Sequence, residues 1–410
     1  MKKLFALLLS LAMVLALVAC GQKDPTPDTP DTPDDPQTKV EYKVAMITDY
    51  GDITDQSFNQ TTYEACKAFA EDNSIEFSYF KPAGDNTADR VAMIEKAVDE
   101  GFNVIVMPGY AFGGAIVEAA PEFPDVKFIA LDVAAGDLLE TAVAKAGEAY
   151  DYTPENWDLN KYVDMSNVYC AVYQEELCGY MAGYAAVKLG YKNLGFLGGM
   201  SVPAVVRYGY GFVQGVDAAA ADLGLTDVKL NYIYGGQFFG DADITAVMDT
   251  WYQGGTEVVF ACGGGIYTSA VDAAKKVGAK VIGVDVDQAG VIAKYAGVDG
   301  MTVTSAMKGL YPATYDTLTD VIVNGNWEKY VGKIETLGLV SGTDPEANYV
   351  QIPMGDGTQW SDSFTQDDYK AMVKDMFDGK ITVSNNTSSD VSAADFATVI
   401  TVDDQGSIKG

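Results

Sequence analysis

Histidine is absent from all 410 residues, and with it go the imidazole chemistries: the zinc hydrolase centres and the Ser-His-Asp and Cys-His relays. Positive charge is scarce as well. Lys and Arg number 27 against 58 Asp and Glu, a formal net charge of −31. So acidic a surface repels phosphate backbones and anionic headgroups, which speaks against nucleic-acid or peripheral lipid binding and favours neutral or cationic ligands. Of five cysteines, Cys20 closes an opening apolar run, while Cys66, Cys170, Cys178 and Cys262 lie dispersed in apolar stretches. Their spacing matches no small disulfide framework, so disulfides and buried free thiols both stay open. A phosphate loop is missing too: Gly263-Gly264-Gly265 lacks the Lys-Ser/Thr of a P-loop, and Gly195, Gly198 and Gly199 do not complete GxGxxG. These glycines read as tight turns or as close backbone approach to a neutral ligand.

The chain opens with Lys2, Lys3 and an apolar run over residues 4–18 that is short of the ~20 residues of a membrane span. Residues 1–19 read as a signal peptide, and Leu17-Val18-Ala19-Cys20 resembles a bacterial lipobox with Cys20 as the lipidated residue. Residues 20–39, rich in Pro, Asp and Thr, read as an extended acidic tether with nothing to pack.

From residue 44 onward short apolar runs alternate with helical periodicity, the β-α-β rhythm of a parallel sheet covered on both faces. The rhythm breaks over residues 136–165, which read as a polar surface excursion, and restarts near residue 168. Two successive α/β units follow, predicting lobes at 40–165 with 288–325 and at 166–287 with 326–383. A hairpin-like stretch is expected over 327–339, an amphipathic helix over 369–377 and a polar tail over 384–410. Loops at the strand C-termini of two facing lobes make a ligand cleft.

The loop after the first strand is the densest in candidates. Asp49 stands at the strand end as an acceptor for ligand N–H or O–H groups, while Asp52 and Asp55 suit turns and caps. Ser57 and Gln60 have capping-box spacing, which places Phe58 and Asn59 in a first helical turn. Phe58 there either stacks on a ligand or packs beneath the loop. Asp132, Asp285 and Asp287 occupy corresponding strand ends.

Taken in order, Thr48-Asp49, Gly51, Asp55, Ser57-Phe58-Asn59, the run from Gly195 to Met200 with Pro203, Val205, Arg207 and Tyr208, Gly211-Phe212, Gly283-Val284-Asp285 with Asp287-Gln288, Ser305 with Lys308, and the final Gly379-Lys380-Ile381 with Val383 resemble the basic membrane protein family. These are lipoprotein substrate-binding components of ABC transporters, similar to purine nucleoside receptors. The resemblance implies a type I periplasmic-binding-protein fold, two doubly wound parallel-sheet lobes around an interlobe cleft, and binding without catalysis. It implies Phe58 stacked on a nucleoside base with Phe238 on the other face. Asp49, Asn59 and Asp132 would bond base or ribose, and Gly264, Asp285 and Lys308 the ribose. Residues 136–165 exceed the family's expected length. The expected partners are a purine nucleoside, the permease of an ABC transporter and, through the N-terminal lipid, the extracytoplasmic face of the cell membrane. No nucleic acid, cofactor, metal or second copy is expected. Two alternatives stand beside this: a sugar or other small-metabolite receptor on the same fold, and a calcium-dependent nucleoside hydrolase using Asp49, Asp52 and Asp55.

Overall fold

Alternating runs of aliphatic residues build the strands of the computed structural model, which describes residues 41–409. The expected signal peptide, Cys20 and the whole tether lie outside the described residues. In chain order the strands are β1 (Lys43–Ile47), β2 (Glu76–Phe80), β3 (Val104–Pro108), β4 (Lys127–Leu131), β5 (Val168–Tyr173), β6 (Asn193–Gly198) and β7 (Lys229–Tyr234). They continue with β8 (Val258–Cys262), β9 (Lys280–Asp285), β10 (Thr302–Lys308), β11 (Ile334–Leu337), β12 (Val350–Gln351) and β13 (Thr401–Ser407).

Two sheets result, in the orders β11-β5-β4-β3-β1-β2 and β12-β10-β9-β8-β6-β7-β13. All neighbours are parallel except β10 and β12. Parallel sheets need cover on both faces, and β3 and β8 are buried at every residue. The pleat divides β1 between two cores, Val44 and Met46 facing one and Ala45 and Ile47 the other.

The second lobe is organised by two helices in backbone contact, Glu175–Lys188 and Pro203–Asp222. A Cβ on Gly179 would lie 2.3 Å from the Tyr208 carbonyl oxygen and one on Gly183 2.3 Å from that of Phe212. Conversely, Gly211 and Gly215 would each place a Cβ 2.1 Å from the carbonyl oxygens of Glu176 and Tyr180. Glycine every fourth residue on both helices thus permits the approach that small-xxx-small pairs allow. The first helix of the pair is buried nearly all round, carrying Glu175 and Glu176 inside with it.

Several expected boundaries are corrected by the strand pairing. β5 joins the first sheet rather than beginning the second lobe, and β10 joins the second sheet rather than returning to the first. The helix Leu310–Leu318 then packs on the first lobe, where the Tyr315 hydroxyl donates to Asp72 at 2.7 Å. β11 is no hairpin: it pairs in parallel with β5. The chain therefore crosses between lobes three times, at Gln174, at Gly309 and between β11 and β12. The first two crossings take one residue each, so no loop marks them in the sequence.

Residues 136–165 begin as an ordinary covering helix, Ala135–Lys145, with Leu138, Leu139, Ala142 and Val143 buried. Only the remainder is an excursion, held by edge-on contacts of Trp157 with Tyr150 and Tyr162. Residues 384–410 are no free tail either. Asp217 accepts from the amides of Thr398, Val399 and Ile400, and β13 then extends the second sheet beside β7. Cys66, Cys170, Cys178 and Cys262 are buried free thiols. Among the described residues, no helix is long and apolar enough to cross a membrane.

Candidate functional site

The strand C-termini of both sheets meet around a cavity of about 440 Å³, within the size range of small-molecule sites. All eight residues singled out from the sequence line it: Asp49, Phe58, Asn59, Asp132, Phe238, Gly264, Asp285 and Lys308.

The loop after β1 is shaped by its own acids. Asp49 accepts from the amides of Tyr50 and Gly51, each at 2.6 Å, and from the Asn59 side chain at 3.2 Å. A Cβ on Gly51 would sit 2.5 Å from that Asn59 nitrogen, so a larger residue there would displace the Asn59 amide from Asp49. Burial pushes the Asp49 carboxyl above its ordinary value despite these donors. The expected capping box does not form. Asp55 caps the helix Phe58–Asn73 instead, accepting from the amides of Ser57, Asn59 and Gln60 at 2.9, 2.9 and 3.1 Å. Ser57 is thereby released, and its hydroxyl donates across the cleft to Asp285 at 2.5 Å. Asp52 lies exposed at the rim, paired with Lys81 at 3.0 Å.

Asp132 and Asp285 end β4 and β9 with φ of +59° and +64°. Two non-glycine residues in the left-handed region at matching strand ends mark strain retained where side chains must enter the cleft. Asp287 does not join them: it is exposed and accepts from the Ala289 amide.

Lys308, the last residue of β10, sits among these acids and is 5% exposed. It contacts Asp132 directly, with Glu175 at 3.4 Å and Asp285 at 3.9 Å. The rings of Phe58, Tyr173 and Tyr208 surround the ammonium at 4.8, 5.3 and 5.6 Å. Burial alone would lower its proton affinity, yet the three carboxylates outweigh burial and raise it, so Lys308 stays charged. Glu175 in turn accepts from Arg207 Nε at 2.6 Å. Three carboxylates thus share two cations, leaving one acid in excess. Burial and the like charge of Glu175 push Asp132 up to about 6 against the pull of Lys308. Burial likewise pushes Asp137, on the same wall, up to about 7.

The second lobe's aromatic face rests on glycine. A Cβ on Gly199 would meet the Phe238 ring at 2.4 Å and one on Gly263 at 2.9 Å. The glycine runs therefore form a bed on which Phe238 lies against backbone. Phe239 is 56% exposed at the mouth. There Tyr50 and Tyr110, from the first lobe, bring their hydroxyls to 3.8 Å from the Met200 sulfur of the second.

The sequence reading missed Glu175 and Asp137 and gave Arg207 and Tyr208 no role. Two polar atoms of cleft residues, Asn59 Oδ1 and Asp132 Oδ1, are buried with no hydrogen-bond partner among the described residues. Such atoms call for an occupant. Of the cleft's own amine and thiol, Lys308 is held protonated, and burial drives the Cys262 thiol far above its ordinary value.

Known proteins resemble the chain along most of its length. ABC transporter nucleoside-binding protein BmpA of Lactococcus lactis subsp. cremoris is 26% identical over 392 residues, spanning 92% of this chain and 96% of its own. Basic membrane protein B of Borreliella burgdorferi is 26% identical over 322 residues, 76% of this chain and 83% of its own. A crystal structure of solute-binding proteins of an ABC transporter system from Aeropyrum pernix K1 superposes with a TM-score of 0.60 at 20% identity, covering 84% of this chain and 88% of that one. The fold is accordingly that of the periplasmic binding proteins, as the sequence motifs implied. The model of ABC transporter substrate-binding proteins, PnrA-like, matches residues 42–343, and the chain belongs to that family.

Proposed function

We propose that this substrate-binding protein takes up a purine nucleoside between its lobes and delivers it to the permease of an ABC importer, held to the extracytoplasmic membrane face by lipid on Cys20 and acting as a monomer. The observation that carries the reading is the pair of unpartnered buried acceptors, Asn59 Oδ1 and Asp132 Oδ1, in a cleft that also holds Phe58 and Phe238. A purine offers N–H donors to the acceptors and a flat face to the rings; stacking is worth about 1–3 kcal/mol per base. Asp49, Asn59 and Asp132 bind the base or ribose, and Gly264, Asp285 and Lys308 the ribose. Asp49, Asp132, Asp137 and Asp285 make the cleft acidic, which favours a nucleoside over its nucleotide. The Lactococcus relative, whose name states nucleoside binding, supports the ligand class.

The metal-hydrolase alternative draws less support, because Asp49 and Asp55 already accept two and three backbone N–H groups. Calorimetry of ligand-stripped protein with guanosine, inosine, adenosine and a panel of sugars tests the reading. Heat with at least one purine nucleoside is expected, weakened about 5- to 150-fold in Phe58→Ala, the equivalent of the stacking term. Binding of a sugar but no nucleoside would transfer the site to the sugar-receptor alternative.

A further inference from the structure

The segment that presents Phe238 is tied down by the far end of the chain. After β7, residues 235–240 leave the sheet and run along the second lobe's side of the cleft before Asp241 caps the helix Ala242–Gln253, accepting from the Ile244 amide at 3.0 Å. β13 lies parallel to β7, with Ser407 in register with Tyr234, and the Ile408 amide continues the ladder to the Tyr234 carbonyl at 2.8 Å. The next residue, Lys409, is thereby placed against the loop. Gly236 has φ +79°, and a Cβ there would lie 2.7 Å from Lys409 Cβ and 2.8 Å from its carbonyl oxygen. The Lys409 ammonium donates to Gln237 Oε1 at 2.7 Å and makes a direct ion pair with Asp241. Gln237 closes the ring, its amide nitrogen donating to the Phe239 carbonyl and to Asp241, both at 2.9 Å. Asp241 is held below the usual carboxylate range, first by the Ile244 amide and then by Lys409, so its carboxylate is charged at neutral pH.

We infer that Lys409 is a positioning residue for the ligand site: by clasping Gln237 and Asp241 it fixes the 236–241 loop so that Phe238 stays on its bed of Gly199 and Gly263, facing the cleft. Lys409 does not line the cavity and acts only through the loop. It lies beyond residues 42–343, the part matched to the family, so the clasp is read from this chain alone. The order it imposes is entropic. A six-residue loop carrying two adjacent aromatics, one on the bed and one exposed, can exchange Phe238 for Phe239, and the clasp restricts that freedom before ligand arrives. That Phe238 contacts a nucleoside rests on the function proposed above; that Lys409 orders the loop does not.

The test therefore has two arms. In the unliganded protein, amide hydrogen exchange over residues 235–241 should quicken in Lys409→Met and return towards wild type in Lys409→Arg, while the strands of the first lobe stay unchanged. Identical exchange in Lys409→Met and wild type would overturn the clasp whatever the ligand proves to be. In the second arm, inosine and guanosine affinities should fall about three- to fivefold in Lys409→Met, the scale of a part-exposed ion pair. The fall should largely vanish when Phe238→Ala is already present. An equal loss in both backgrounds, or no loss with Phe238 intact, would refute the action through Phe238. If wild-type protein binds no nucleoside, the proposed ligand is wrong and the exchange arm still decides the clasp.

Discussion

Replacing Lys308 by Met keeps most of the apolar stem and removes the charge around which the cleft floor is built. The ammonium touches Asp132 and lies 3.4 Å from Glu175 and 3.9 Å from Asp285. Removing one member of a buried ion pair costs about 3–5 kcal/mol of folding stability near neutral pH, because the partners stay buried without compensation. The pH dependence is the sharper signature. Burial pushes the Asp132 carboxyl up to about 6, against 3.8 for an ordinary aspartate. An acid whose folded pKa is raised contributes stability that is complete below the unfolded value and is lost as pH rises through the folded one. Between about pH 7.5 and pH 5.5 the wild type should regain on the order of 1 kcal/mol from Asp132 alone, by integrating its fractional protonation. Without Lys308 the pull on Asp132 is gone and its pKa climbs further. A variant protonated there throughout the interval regains about 3 kcal/mol. The Lys308→Met deficit should therefore shrink by up to about 2 kcal/mol on acidification. Urea unfolding at the two pH values, with slopes compared to confirm a common unfolded state, measures it. A deficit that is constant, or that grows at the lower pH, would refute the shared-cation account of the floor.

Two substitutions test the glycines. Gly199→Ala puts a methyl group 2.4 Å from the Phe238 ring, so the ring must leave its bed; nucleoside affinity measured by calorimetry should fall about tenfold or more, within the range of one lost stacking face, while urea unfolding changes little. Gly211→Ala places its methyl 2.1 Å from the Glu176 carbonyl oxygen, a backbone atom that cannot swing aside; unfolding free energy should drop by at least about 1–3 kcal/mol, as for overpacked cores, and an unchanged midpoint would show that the helices separate freely.

Legibility in the sequence followed the range of the interactions concerned. Asp132 and Asp285 could be placed because apolar runs end at them, and a parallel strand buried on both faces writes its own boundaries. Ser57 was misread for the opposite reason. Its spacing to Gln60 is a local signal, and a contact to Asp285, 228 residues away, overrides it while Asp55 caps the helix. The crossings at Gln174 and Gly309 left no trace because each spans one residue. β13 was hidden by its composition: an exposed acidic edge strand carries no apolar periodicity, and acids on an edge are what discourages pairing with other chains. Glu175 and Arg207 were legible in principle. Gly179 and Gly183 face Gly211 and Gly215 at four-residue spacing, and recognising that pair of helices as touching would have brought the start of one against the start of the other.

That same arrangement explains why the densest charge lies at the floor, while the rim carries the exposed Asp52–Lys81 pair. Glu175 follows the first crossing residue and Lys308 precedes the second, so the densest charges in the cleft stand beside two of the connections between the lobes. A rotation about those connections displaces groups in proportion to their distance from them. In such a rotation the Glu175–Lys308–Asp132 cluster would separate least, keeping its desolvated charges covered. Further out, the Ser57 hydroxyl reaches across to Asp285 at 2.5 Å, and at the far edge two tyrosine hydroxyls meet a methionine sulfur at 3.8 Å. A thioether is a weak acceptor, and breaking such contacts costs little. The protein's own contacts across the cleft are thus strong towards the floor and weak at the mouth, where a bound ligand has most to add.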